Sequence, residues 1–127
     1  MSNKILLVDD DPNILLGLQR TFRKQFQLET AGGGEQALSL LNGQGKYAVV
    51  VADMCMPGMN GVELLQEFQR RSPDTIRVML TGNADQRTAV DAVNQGHVFQ
   101  FLSKPCAPQT IAMVLESALR QYRLVTA

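Results

Sequence analysis

The sequence has no surplus of either charge, no apolar run of membrane-spanning length, and only two cysteines and one histidine. Each shortage removes a class of function. Twelve Lys and Arg are balanced by twelve Asp and Glu, whereas a domain that grips nucleic acid by its phosphates usually carries a basic excess. Sequence-independent nucleic-acid binding is therefore disfavoured. The first apolar run, Ile5 to Val8, ends at three aspartates, short of the roughly 7–15 residues of a secretory core and the ~20 of a membrane helix. No membrane association is expected, and the cytoplasm is the expected location. Cys55 and Cys106 are too few and too distant in sequence for a disulfide scaffold or a zinc knuckle, and both read as small buried thiols. Internal repeats, low-complexity stretches and interdomain linkers are also missing.

What is present fits one core. The 127 residues are 45% apolar, enough for a single domain over 1–127. Short apolar runs alternate with helical periodicity, the pattern of a parallel sheet covered on both faces. The runs are Ile5–Val8, Tyr47–Ala52, Ile76–Leu80 and Val98–Leu102, with Gln27–Ala31 a weaker strand. Ile14, Leu15, Leu18, Phe22 and Phe26 follow helical spacing behind Asp11 as N-cap and Pro12 at the first helical position. Further helices carry Ala37, Leu38 and Leu41; Val62, Leu65 and Phe68; Ala89, Ala92 and Val93 between Asp85 and Gln95; and Ile111 to Tyr122 from about Ala107.

Each strong run ends in residues that a core does not want: Asp9-Asp10-Asp11, then Asp53, Thr81-Gly82 and Ser103-Lys104-Pro105. In a parallel sheet these ends share one edge, where open α/β sheets bind their ligands. Clustered carboxylates raise one another's cost of ionising unless a cation offsets them. Oxygen-only ligands suit Mg²⁺, and with no His in the set zinc does not fit. A lysine and a hydroxyl opposite the acids would serve phosphoryl oxygens, and together these groups describe a phosphoryl-transfer site with a carboxylate as acceptor. Singly, Asp11 reads as a helix cap, Asp53 and Thr81 as turn residues and Lys104 as a surface lysine; jointly they would need four coincidences on one edge. His97 reads as a loop residue, and Met54, Met56 and Met59 as packing.

These residues resemble the receiver domain of bacterial two-component response regulators. The acidic end of the first strand, the stretch Asp53-Met54-Cys55-Met56-Pro57-Gly58-Met59-Asn60-Gly61, the pair Thr81-Gly82 and Phe101-Leu102-Ser103-Lys104-Pro105 occur in the family's order. The resemblance implies a flavodoxin-like (βα)5 three-layer sandwich with a sheet of order 2-1-3-4-5. It implies no enzyme in the ordinary sense, but a domain in which Asp53 accepts a phosphoryl group from a sensor histidine kinase or phosphotransfer protein. Asp10, Asp53 and the backbone carbonyl of Cys55 would hold Mg²⁺, with Asp9 acting through water. Lys104 would bridge to the phosphoryl group, Thr81 would move to it, and Phe101 would repack, switching the helix 4, strand 5 and helix 5 surface. Pro105 is expected after a cis peptide. Dimerisation on phosphorylation is a further implied partner mode.

Two departures stand out. The stretch Gly96 to Phe101 is longer than usual and adds Phe99 on the Phe101 face. Cys55 cannot place an attacking water, so slow hydrolysis is expected unless Asn83 supplies that role. A haloacid-dehalogenase-type phosphatase using Asp9 is an alternative that leaves Asp53 unexplained, and a receiver-like binding module without phosphorylation is another. No output domain is encoded here, and the last helix lacks a stop signal, so the chain reads as the front of a longer regulator. The aromatic variant before Lys104 is similar to that of receivers joined to cyclic-dinucleotide phosphodiesterases, by fold-level analogy.

Overall fold

The computed structural model describes residues 3–82, 86–95 and 98–127. Asn83, Asp85, Gly96, His97 and the side chain of Val93 lie outside the described residues. Strand and helix alternate as β1 (Lys4–Val8), α1 (Pro12–Phe22), β2 (Gln27–Ala31), α2 (Gly34–Gln44), β3 (Val49–Asp53), α3 (Gly61–Arg71), β4 (Ile76–Thr81), α4 (Gln86–Asn94), β5 (Gln100–Ser103) and α5 (Pro108–Thr126). All neighbouring strands are parallel, in the order β2-β1-β3-β4-β5, as the resemblance implies.

The unbroken apolar runs are explained by burial on both faces. Ile5, Leu7, Val49, Val51, Val78 and Leu80 pack with α1 and α5. Their sequence neighbours Leu6, Val8, Val50, Ala52 and Met79 pack with α2, α3 and α4 on the other side, as the strand period of two requires. Leu64, Leu65 and Phe68 of α3 have no exposed surface, each contributing about 1.5–3 kcal/mol by burial, so α3 is firmly seated.

The polar sequence of β2 follows from its place at the sheet edge. Glu29 pairs with Lys4 at 3.3 Å and accepts the hydroxyl of buried Tyr47 at 2.6 Å. Three boundaries differ from the sequence expectation by two residues or more. α1 ends at Phe22, and Phe26, expected on the same helix, lies beyond its end, where it is buried and its amide donates to the Phe22 carbonyl at 2.9 Å. β3 starts at Val49 rather than Tyr47, although Ala48 already donates to the Lys4 carbonyl and accepts from the Ile76 amide, both at 2.9 Å. β5 covers Gln100–Ser103, while Val98 packs into the core ahead of it and the Phe99 amide reaches the Arg77 carbonyl at 2.7 Å.

Helix starts are set by local chemistry. The Asp11 carboxylate accepts the Asn13 amide at 2.9 Å ahead of Pro12, which satisfies one donor of the first turn. Asn60 and Glu63 form a reciprocal capping box on α3. No described helix is long and apolar enough to cross a membrane.

Neither cysteine is a buried thiol. Cys55 is exposed because it lies in the loop beyond the carboxyl end of β3, where the chain has left the core. Cys106 is half-buried. It follows the cis Lys104–Pro105 bond and directs its thiol to the Ser103 carbonyl at 2.8 Å; burial pushes that thiol's pKa up.

Candidate functional site

Strand register assembles the site. Val8 pairs with Ala52, so the next residues, Asp9 and Asp53, leave β1 and β3 side by side. Asp53 pairs with Leu80 and Thr81 with Ser103, which carries Thr81 and Lys104 to the same edge. The ladder continues past the strands: the Asp9 amide donates to the Ala31 carbonyl, Met54 to Leu80 and Lys104 to Thr81. The backbone of every one of these residues is thereby fixed before any ligand arrives.

The loop after Asp53 is held against α3 by a missing side chain. The Gly61 amide donates to the Met54 carbonyl at 3.0 Å. A Cβ on Gly61 would stand 2.5 Å from the Asp53 carbonyl oxygen and 2.8 Å from Met54 Cα. Both are backbone atoms that cannot swing aside, so glycine is required by close approach.

Lys104 Nζ lies 3.0 Å from Asp53 Oδ1 and 3.8 Å from Asp9 Oδ2. Oxygens of Asp9, Asp10 and Asp53 can all lie within 4.8 Å of one another. Asp9 and Asp53 are buried and Asp10 is exposed. Asp9 Oδ1 accepts the Asp11 amide at 2.9 Å, while Oδ2, buried and facing Lys104, has no hydrogen-bond donor. Burial raises the Asp9 pKa, and the charges of Asp53 and Asp10 push the same way, against the Asp11 amide and Lys104. For Lys104, burial pulls the pKa down, but the hydrogen bond to Asp53 and the charges of Asp53 and Asp9 outweigh it and hold the ammonium above its ordinary value.

Three carboxylates faced by one ammonium leave excess negative charge and an orphaned buried oxygen. A hard divalent cation with oxygen ligands would relieve both. Asp11, engaged by Asn13, is outside the cluster, which agrees with its reading as a cap.

Thr81 is fully buried; its hydroxyl lies 3.2 Å from the Gly82 carbonyl and 3.7 Å from the Met54 thioether. Phe101 is half-buried beside the core under α2, α3 and α4, and Phe99 is 38% exposed. Met56 is buried, and Met54 and Met59 pack partly buried on the same core, as packing residues should. Two contacts carried no sequence signal: the Met54 sulfur on Thr81, and the Gln86 amide donating to the Ser103 hydroxyl at 2.9 Å. Asn83 and His97 lie outside the described residues.

The family model of the response regulator receiver domain matches residues 5–116. The chain is 37% identical over 126 residues to the transcriptional regulatory protein GlrR of Escherichia coli, covering 95% of this chain and 28% of that protein. It is 31% identical over 122 residues to the hydrogenase transcriptional regulatory protein HoxA of Cupriavidus necator, covering 94% and 25%. The chain thus spans about a quarter of the length of these curated relatives. Among solved structures, one described as adenylate cyclase from Rhodopirellula baltica superposes with a TM-score of 0.97 at 41% identity, over 99% of this chain and 93% of that one. A response regulator receiver domain protein from Clostridium thermocellum superposes with a TM-score of 0.90 at 27% identity, over 98% and 99%.

Proposed function

The chain belongs to the response regulator receiver domain family, and from that membership we propose that Asp53 is its phosphoryl acceptor. The observation that carries the reading is the 3.0 Å contact between Lys104 Nζ and Asp53 Oδ1, beside two further carboxylates. A carboxylate oxygen of Asp53 attacks the phosphorus of a phosphohistidine on a sensor kinase or phosphotransfer protein. The P–O bond forms, the P–N bond breaks, and the imidazole nitrogen leaves with the electron pair. Lys104 is positioned to transfer its charge contact from the carboxylate to a phosphoryl oxygen, and the Thr81 hydroxyl to donate to another.

Asp10, Asp53 and the backbone carbonyl of Cys55 would hold Mg²⁺, with Asp9 acting through water; the orphaned Asp9 oxygen and the oxygen-only donor set support this. When bound, the ion supplies positive charge against the carboxylates and phosphoryl oxygens. Release of Thr81 toward the phosphoryl group and repacking of Phe101 would then change the α4, β5 and α5 surface, a two-state element biased by contacts made in only one state. That surface would act on an output domain of a longer cytoplasmic regulator, on a separate protein, or on a second phosphorylated copy. The phosphatase reading is not favoured, because the carboxylate nearest Lys104 is Asp53 and not Asp9.

Incubation with acetyl phosphate and Mg²⁺ followed by intact mass tests the reading. A phosphate-sized gain that Asp53→Asn abolishes is expected. No gain, or one that survives the substitution, overturns it and leaves the phosphorylation-independent binding module.

A further inference from the structure

We propose that Met54 is a positioning residue for the switch: its thioether is the resting acceptor for the Thr81 hydroxyl, and its weakness as an acceptor sets how readily that hydroxyl is released to the phosphoryl group. The inference rests on the Asp53 reading and deepens it.

Thr81 Oγ1 is fully buried at the end of β4, so its proton must find a partner within the protein. Among the described residues two acceptors stand near it, the Gly82 carbonyl at 3.2 Å and Met54 Sδ at 3.7 Å, the latter within reach for a bond to sulfur. The Gly82 carbonyl belongs to the adjoining residue. Met54 adjoins the acceptor Asp53, and its backbone is clamped on both sides: its amide donates to the Leu80 carbonyl and its carbonyl accepts from Gly61. The sulfur is thus held at Thr81 by the same loop that presents Asp53. Met54 and Phe101 also pack against the same core.

A thioether is a weak acceptor, whereas a bond to a charged phosphoryl oxygen is roughly twice as strong as a neutral one. The exchange therefore runs toward phosphate when phosphate is present and toward sulfur when it is absent. An amide oxygen at the same place would oppose release. An alkyl group would take the sulfur acceptor away from the resting hydroxyl and promote release.

Beryllofluoride with Mg²⁺ is the probe, a non-covalent stand-in for the phosphoryl group. Because the chain has no Trp, calorimetry rather than indole fluorescence gives the affinity. Met54→Leu should bind about twofold to tenfold tighter and Met54→Gln correspondingly weaker, the range of one neutral hydrogen bond. A side chain that merely fills space would move both variants in the same direction. In a Thr81→Val background the Met54→Leu effect should vanish. Without Mg²⁺ or beryllofluoride, the ¹³C-methyl resonance of Met54, assigned by its loss in Met54→Leu, should shift on Thr81→Val. Unchanged affinities, changes of one sign, an effect that persists without the hydroxyl, or an insensitive methyl resonance each overturn the inference while the Asp53 reading stands. A parent chain that neither gains phosphate nor binds beryllofluoride overturns both.

Discussion

Asp9 carries a charge that its surroundings disfavour. It is 2% exposed, burial raises its pKa, and Asp53 and Asp10 add to the rise. The folded state therefore holds the Asp9 proton more tightly than the unfolded chain. Stability from this group is full below its ordinary value of 3.8 and is lost as pH rises through the higher folded value. Ionising this buried carboxylate therefore costs the folded state stability. Asp9→Asn keeps an acceptor for the Asp11 amide and drops the charge. Thermal melting at neutral pH without divalent cation should show a higher Tm than the parent and a smaller rise on adding Mg²⁺. An unchanged or lower Tm would contradict the reading of Asp9. At this scale the acids, Lys104 and Thr81 were legible because each interrupts an apolar run where a core residue belongs. The sulfur contact of Met54 was not, since hydrophobic spacing says nothing of where a thioether points. The exposure of Cys55 departs from expectation for a related reason: residue type favours a buried thiol, but position in a loop past a strand end decides the matter.

Among the elements, α3 is tied most directly to the chemistry, through Gly61. A methyl group there would meet the Asp53 and Met54 backbone at 2.5–2.8 Å, so either the loop or the helix must yield. Gly61→Ala should lower the urea midpoint by an amount equivalent to roughly 1–3 kcal/mol and, on the proposed Mg²⁺ site, weaken Mg²⁺ binding, because the backbone that gives way is that of Asp53. Parent-like stability and Mg²⁺ affinity would show that the loop accommodates the methyl freely. The helices and central strands were readable from period and apolar content: β1 and β3 place buried apolar residues on both faces, β4 does so apart from Arg77, and Asn60 with Glu63 marks the start of α3. The limits of β3 and β5 were less so. Tyr47 and Val98 are as apolar as strand residues, but they are core side chains placed just ahead of the ladder. The weak pattern of β2 has its cause in the sheet edge, where Gln27 and Glu29 are tolerated.

For the whole molecule, the alkaline limit is set partly by a group far from the site. Burial, then the hydrogen bond and charge of Glu29, push the Tyr47 pKa above its ordinary 10.0. The unfolded chain ionises this tyrosine first, so its contribution is full below 10.0 and is lost as pH rises toward the higher folded value. Lys104 acts in the same sense, its contribution being lost as pH rises from 10.5 through its own raised value. Urea midpoints should fall steeply above pH ~10, and Tyr47→Phe should be less stable at neutral pH yet lose less on going alkaline. Equal slopes for parent and variant would rule Tyr47 out as the source.

The strand-end geometry has one more consequence. Asp9, Asp53, Thr81 and Lys104 all depart from strands or from the first residue beyond them, and their spacing is measured by the β1, β3, β4 and β5 ladder. The outward surfaces of the helices take no part in that measurement. Site geometry and outer surface are therefore separable in this fold: outward-facing helix positions can be rewritten while the spacing of the strand-end residues is kept.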